Sequence, residues 1–343
     1  MTSTMGLPGW VERELAADPI RMVDVGARGG WQPKWREADA HTLFVGVEPD
    51  RAEYDRLVAA ARPNERFLDA CLYHSDAEVT LYHCDPPTCT SIYRPSARTM
   101  ARLFGARRGM RVVREETIRV TTLDRALSAI SVGTIDCIKL DTQGSELDIL
   151  RGSRQTLAGP LLAVEVEVEF THLYEDQPLF HDIAGFLHRQ GFELVDIPRQ
   201  YSTGWIRFGH RGMTGYASVR ELAANWFSLL RPGGGLRGGH RLVYADAVFL
   251  RAPSAWIEEV LHVGARARST GLRGFVTCCV LGYDDYAREL GELLRAKGLL
   301  DDREVDDLSR WITRRSRSWR RARRDAGHLA RRVVHRLQHL GDL

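Results

Sequence analysis

Three glutamates at alternate positions, Glu165, Glu167 and Glu169, interrupt an otherwise apolar run, LLAVEVEVEF. In an extended strand residues two apart share a face, so the three carboxylates line one side and Val164, Val166 and Val168 the other. A strand buried on both faces is apolar throughout, and unpaired carboxylates are costly to bury. The acidic face must therefore line a polar cleft, pair with arginines or lie at a sheet edge. Asp141 closes a second apolar run, TIDCIKLD, and His172 stands just past the first. A carboxylate or imidazole within hydrogen-bond reach of an alcohol can take its proton as a new bond forms. Asp141, Glu167 and His172 are thus the candidate catalytic residues. Clustered carboxylates could instead hold Mg2+, an ion that favours oxygen ligands and would orient a diol. No Cys/His spacing of a zinc site is present, and no resident metal is expected.

A second group of residues suits ligand binding. Asp24-Val25-Gly26-Ala27-Arg28-Gly29-Gly30 follows the strand-like run RMVDV, and Glu48 closes the next such run, TLFVGVE, 24 residues after Asp24. Glycines let a backbone approach a ligand closely and adopt positive φ. A carboxylate at the position of Glu48 can accept hydrogen bonds from both hydroxyls of a ribose. The glycine spacing does not match GxGxxG, and no GxxxxGK[ST] loop is present. Asp24 would repel a pyrophosphate but suits an ammonium, so a nucleoside with an amino-acid arm, such as S-adenosylmethionine, fits better than NAD or ATP.

Elements alternate in a way that would hold these groups together. RMVDV, a glycine turn, a short helix over WQPKWREADA with Pro33 in its first turn, and TLFVGVE open an α/β sheet. A helix N-capped by Asp50, the strand ERFLDA, further strands at 78–84 and 111–121, and the helix LDRALSAI follow. Next come TIDCIKLD, a helix over SELDILRGSRQTL, the glutamate strand, a helix stopped by Gly191, and the strands FELVDI and LVYADAVFL. In open α/β sheets ligands bind beyond the carboxyl ends of the strands, where Asp24, Glu48 and Asp141 stand. Residues 198–240 form an insertion with Trp205, Phe208, His210, Tyr216, Trp226 and a glycine-rich run, expected to act as a lid or to pack on the sheet. From 253 onward the pattern is helical. The expected division is a domain over 1–252 and a helical C-terminal extension over 253–343.

The 343 residues are 44% hydrophobic and 27% charged, which excludes wholesale disorder and a disulfide mini-scaffold. No apolar run is long enough to span a membrane, and the first 20 residues carry acids where a secretory signal would be basic then apolar, so a cytoplasmic protein is expected. Six cysteines without CxxC pairing read as reduced thiols. Residues 303–343 hold 12 Arg against five acids, a net +7 in a chain of net +3, so the body is mildly acidic. Leu308, Trp311, Ile312, Trp319 and later apolar residues there recur at helical spacing. This helix would pack on the body or on a second copy as a homodimer, lie on the anionic inner face of a membrane, or bind an acidic partner. It lacks the aromatic interleaving of a nucleic-acid platform.

VDVGARGG, VGVEPD, the TCTSIYRP loop, IDCIKLDTQGSELDILRG, VEVEFTHLYEDQPLFHDIAGFLHRQGFELVDI and YADAVFLR, in that order, resemble the FkbM family of S-adenosylmethionine-dependent methyltransferases over residues 20–252. The resemblance implies an α/β class I methyltransferase (Rossmann-like) fold with a seven-stranded, mostly parallel sheet whose last strand is antiparallel. It implies O-methylation of a carbohydrate or of a glycosylated or polyketide natural product, so the partner is a small-molecule or glycan hydroxyl acceptor. By position, Asp24, Gly26 and Arg28 would line the amino-acid arm of the cofactor, with Ala27 and Gly30 in the same turn. Glu48 and Pro49 would sit at the ribose, Asp69 and Ala70 would flank the adenine, and Asp141 and Gln143 would face the methyl-transfer site. Arg28 stands where the family commonly has Asn, and Gln143 where it commonly has Glu. The alternative is a non-catalytic scaffold on the same fold, attached to a membrane surface or acidic partner by its basic tail.

Overall fold

The computed structural model describes residues 5–104, 110–202 and 242–316. The five aromatic residues of the insertion and the arginines from Arg317 onward lie outside the described residues. Ten strands are present among those described: β1 Ile20–Val25, β2 Thr42–Val47, β3 Glu65–Leu68, β4 Cys71–Leu72, β5 Ala77–Asp85, β6 Arg111–Thr121, β7 Cys137–Leu140, β8 Ala163–Glu169, β9 Phe192–Ser202 and β10 Leu242–Arg251. Seven of them form one sheet in the order β3-β2-β1-β7-β8-β10-β9. β7 pairs in parallel with β1 and with β8, whereas β10 runs antiparallel to both β8 and β9. This is the mostly parallel α/β sheet expected from the sequence, with the antiparallel strand inserted next to the edge.

Two compact units partition the chain. The first comprises residues 22–29 and 45–252. Val23, Val25, Val45, Val47, Ile138, Leu140, Val164, Val166 and Val168 are buried in it, so the valine face of β8 is core, as its alternation requires. Asp50 caps the helix Arg51–Ala59 by accepting from the amides of Ala52 and Glu53. The single helix expected over SELDILRGSRQTL is instead two, Glu146–Arg151 and Arg154–Ala158. Gly152 lies between them because the chain passes so close to residue 73 that a Cβ would stand 2.3 Å from the Tyr73 carbonyl oxygen. The strands expected at 78–84 and 111–121 leave the main sheet and form a second one with β4, in the order β4-β6-β5.

The second unit comprises residues up to 21, 30–44 and those from 253 onward. It contains the helices Gly9–Ala17, Pro253–His262, Ala267–Leu281 and Asp284–Ala296, a helix over 302–316, and the 3₁₀ helix Pro33–His41 where a short helix was expected. Trp35, Trp256, Phe275 and Trp311 are buried in it. The apolar positions Leu308, Trp311 and Ile312 of the tail pattern are buried, and the Trp311 indole donates to the Met5 carbonyl at 3.0 Å. Arg315 pairs with Asp284 at 3.1 Å and Glu37 at 3.2 Å. Over 302–316, then, the stripe packs within its own unit. Among the described residues no helix is long and apolar enough to cross a membrane.

Candidate active site

The glycine turn after β1 is held against the loop after β7. Gly26 has φ +84°, and a Cβ there would stand 2.1 Å from the Asp141 carbonyl oxygen. The amides of Gly26 and Ala27 both donate to the Val47 carbonyl, at 3.0 and 3.1 Å. Gly29 and Gly30 also have positive φ, and the Gly29 amide donates to Glu53 at 2.8 Å. Arg28 turns toward acids of the neighbouring loop, 2.8 Å from Asp50 and 3.8 Å from Glu48. Glu48 is buried, and its Oε1 accepts from the Asp50 amide at 2.9 Å. Burial pushes its carboxyl up, against the Asp50 amide and the Arg28 guanidinium, which favour the anion. The Glu48 amide donates to the Leu68 carbonyl, which brings the ends of β2 and β3 together. Asp69 follows there, exposed and 3.0 Å from Arg51; Ala70 is half-buried and Pro49 exposed.

Parallel register arranges the ionisable side chains of the central strands in two ranks. In the lower rank Asp24, Lys139 and Glu165 are Cα partners across β1, β7 and β8. Lys139 Nζ lies 3.3 Å from Asp24 Oδ1 and 3.3 Å from Asp141 Oδ2. Burial alone would lower the Lys139 pKa; the carboxylates of Asp24 and Asp141 overcome it and hold the ammonium above its ordinary value. Burial raises Asp24 to about 6 despite Lys139. The edge position foreseen as one alternative for the glutamate face does not apply, since β8 is an interior strand, and the buried cation in register with it is a lysine.

The upper rank is acidic. Glu167 is the Cα partner of Asp246 on β10, and the register of β7 with β8 carries Asp141 to its other side. Gln143, at φ +61°, links the two acids: its Nε2 donates to Asp141 Oδ1 at 3.2 Å and to Glu167 Oε2 at 2.8 Å. Positive φ in a residue with a side chain persists only where its surroundings over-determine it. Here Ser91 Oγ donates to the Gln143 carbonyl at 2.7 Å, and the Tyr174 hydroxyl donates to Gln143 Oε1 at 3.0 Å. Wholly buried Glu146 accepts from the amides of Thr142 at 2.7 Å and Gly144 at 2.9 Å, fixing the rest of the loop. Burial, then repulsion from Asp141, Glu169, Glu146 and Asp246, raises Glu167 well above the usual carboxylate range. Burial and Glu146 do the same to Glu169, whose Oε2 has no hydrogen-bond partner among the described residues. A carboxylate whose affinity for a proton is raised by burial, beside a hydrogen-bonding amide, is suited to receiving a proton.

Lys139→Met should destabilise the fold by about 3 kcal/mol, because it leaves two carboxylates without their shared cation. The loss should grow as pH rises: below the raised Asp24 pKa that carboxyl is already neutral, and above it the unpaired anion is buried. Urea unfolding at pH 5 and pH 8 measures this, and an equal loss at both would rule out the ion pair as its cause.

The structure thus joins Asp24, Asp141, Gln143 and Glu167 in one network and Arg28, Glu48 and Asp50 in another. It does not bring His172 to either; the ring is exposed and makes no hydrogen bond to a described residue. Lys139, Ser91, Glu146 and Tyr174 were not among the candidates from sequence. Lys139 carried a readable signal, as one of only three lysines in the chain and the one inside an apolar strand. Among the described residues no group of three or more His, Cys, Asp or Glu is arranged to hold a metal ion.

Residues 24–194 match the family model of the methyltransferase FkbM domain. Among solved structures, the chain is similar to the magnesium protoporphyrin IX methyltransferase of Synechocystis PCC 6803 with bound S-adenosylmethionine, at 12% identity and a TM-score of 0.30 over 71% of this chain and 77% of that one. It is also similar to the 1,6-didemethyltoxoflavin-N1-methyltransferase of Burkholderia thailandensis with bound 1,6-didemethyltoxoflavin and S-adenosylhomocysteine, at 12% identity and a TM-score of 0.28 over 73% and 79%. No curated protein sequence matches it.

Proposed function

The chain belongs to the FkbM methyltransferase family through residues 24–194, and we propose that it is an S-adenosylmethionine-dependent O-methyltransferase acting on a hydroxyl of a carbohydrate or of a glycosylated or polyketide natural product. The observation that carries this reading is the close approach of Gly26 to the Asp141 carbonyl, which sets the glycine turn beside the Asp141–Gln143–Glu167 network at the carboxyl ends of the central strands.

The residues present fit the cofactor. Asp24, Glu48, Asp69 and Asp141 make the strand ends acidic, which disfavours a pyrophosphate and suits an ammonium. Oε1 of Glu48 is occupied by the Asp50 amide, and its Oε2 has no hydrogen bond among the described residues, as a ribose-binding carboxylate requires. When bound, S-adenosylmethionine supplies an electrophilic methyl group on a sulfonium. What remains for the protein is to hold an acceptor oxygen in line and to receive its proton. Glu167 is the proposed base: Gln143 Nε2 holds its carboxylate next to Asp141, and burial among acids raises its affinity for a proton. Asp141, held by Lys139, stands beside it, and His172 is the alternative base at the strand tip. The acidic upper rank favours an uncharged hydroxyl over a phosphorylated acceptor. No observation favours the non-catalytic scaffold.

Calorimetric titration with S-adenosylhomocysteine tests the reading. One equivalent should bind, and Glu48→Ala should weaken binding about 10- to 100-fold through loss of charged hydrogen bonds. Undiminished affinity in the variant would remove Glu48 from the ribose.

A further inference from the structure

Tyr174 is wholly buried, packed with Met100, Leu103, Leu173 and Val243. Its loop is stitched to the one before it: the Ser96 amide donates to the Leu173 carbonyl and the Glu175 amide to the Arg94 carbonyl, both at 2.8 Å. The phenol oxygen is thereby fixed 3.0 Å from Gln143 Oε1 and 3.1 Å from the Cys89 carbonyl oxygen. Both neighbours are acceptors, so the single Tyr174 O–H is shared between them, with Gln143 Oε1 the nearer. The amide of Gln143 has two ends of nearly equal size and opposite hydrogen-bonding sense. With Oε1 on Tyr174, its Nε2 reaches both Asp141 and Glu167. Turned over, it would present Oε1 to two carboxylates and Nε2 to the phenol.

We propose that Tyr174 is a positioning residue: by donating to Gln143 Oε1 it holds the amide with its N–H edge on Asp141 and Glu167, and so favours the anionic form of Glu167, the form that receives the acceptor's proton. This rests on the methyltransferase reading above. In the step it serves, the bond from acceptor oxygen to methyl carbon forms, the methyl–sulfur bond breaks, its electron pair stays on sulfur, and the acceptor's O–H proton passes to Glu167. The groups facing Glu167 are Asp141 from the loop after β7, Glu146 from the helix that follows, Glu169 from its own strand and Asp246 from β10, and all four oppose its ionisation. Lys139 reaches Asp141 rather than Glu167. Among the described residues the Gln143 amide makes the one hydrogen bond to the Glu167 carboxylate. Without the lock, the amide would turn its oxygen to a protonated Glu167 and stabilise the wrong form.

Infrared titration of the carboxyl C=O band in the ligand-free protein, assigned by its loss in Glu167→Gln, reads the Glu167 midpoint directly. Tyr174→Phe keeps the ring and its packing, and should raise that midpoint by about one pH unit, the worth of one charge-assisted hydrogen bond. The acid limb of the methyl-transfer rate should move by the same amount, with kcat recovering at high pH and S-adenosylhomocysteine affinity unchanged. Gln143→Met removes the amide at similar length and should also raise the midpoint. Adding Tyr174→Phe to it should then do nothing more, because the phenol acts through the amide. An unmoved midpoint in Tyr174→Phe, or additive shifts in the double variant, overturns the lock. Should Tyr174→Phe fail to fold, Gln143→Met decides alone, and an unmoved midpoint there is equally fatal. If the midpoint shifts but the protein neither binds S-adenosylhomocysteine nor transfers methyl groups, the lock stands and the enzymatic reading falls.

Discussion

Gly26→Ala should cost about 3 kcal/mol or more of stability and abolish S-adenosylhomocysteine binding. Two effects add. The left-handed backbone of Gly26, φ +84°, is unfavourable for any side chain. The new methyl would also meet the Asp141 carbonyl oxygen at 2.1 Å and its carbon at 3.1 Å, which are backbone atoms that no rotamer change can move aside. Retreat of the turn is blocked by the two hydrogen bonds from Gly26 and Ala27 to the Val47 carbonyl. Gly29→Ala is the control: φ there is +85°, but nothing lies within 4 Å of the added methyl. It should cost only the backbone penalty, about 1–2 kcal/mol. Urea unfolding and calorimetry of both variants test this, and equal losses would show that the approach of the turn to Asp141 is not what matters.

Glu167→Gln should lower kcat by about 100-fold or more, the usual contribution of a general base, while leaving cofactor affinity intact. The substitution keeps the shape of the side chain and an oxygen for Gln143 Nε2, so the network persists without a proton acceptor. Its stability signature has a definite sign. A carboxyl whose folded pKa is raised stabilises the native state below its unfolded pKa, and that contribution is lost as pH rises through the folded value. Relative to wild type, Glu167→Gln should therefore gain stability as pH increases. The wild-type rate should rise over the same interval, above the range in which ordinary carboxylates titrate. Full activity in Glu167→Gln would move the base to Asp141 or His172.

Much of this arrangement was legible because it follows from periodicity and strand ends. Alternation placed Glu165, Glu167 and Glu169 on one face of β8, and the rule that ligands gather at strand carboxyl ends picked out Asp24, Glu48 and Asp141. What sequence could not supply was register. Lys139 meets Asp24 only because parallel pairing sets the two level, and nothing in a linear reading of IKLD fixes that level. For the same reason an edge position for the glutamate strand stayed open beside the polar cleft. Residues that act from a distance in the chain were also hidden. Ser91 is 52 positions from Gln143 and Tyr174 is 31, and each meets it through loops whose shapes come from tertiary contacts. The helix over SELDILRGSRQTL broke at Gly152 because of a close backbone approach to Tyr73, a constraint that helical propensity does not contain.

A crystal structure of the protein with S-adenosylhomocysteine tests the central claim most directly. The account predicts the ribose hydroxyls on the Glu48 carboxylate, the amino group toward Asp24, and the sulfur above the Asp141–Gln143 loop. A crevice that stays vacant at saturating ligand, or a ligand bound away from Gly26 and Glu48, would contradict it.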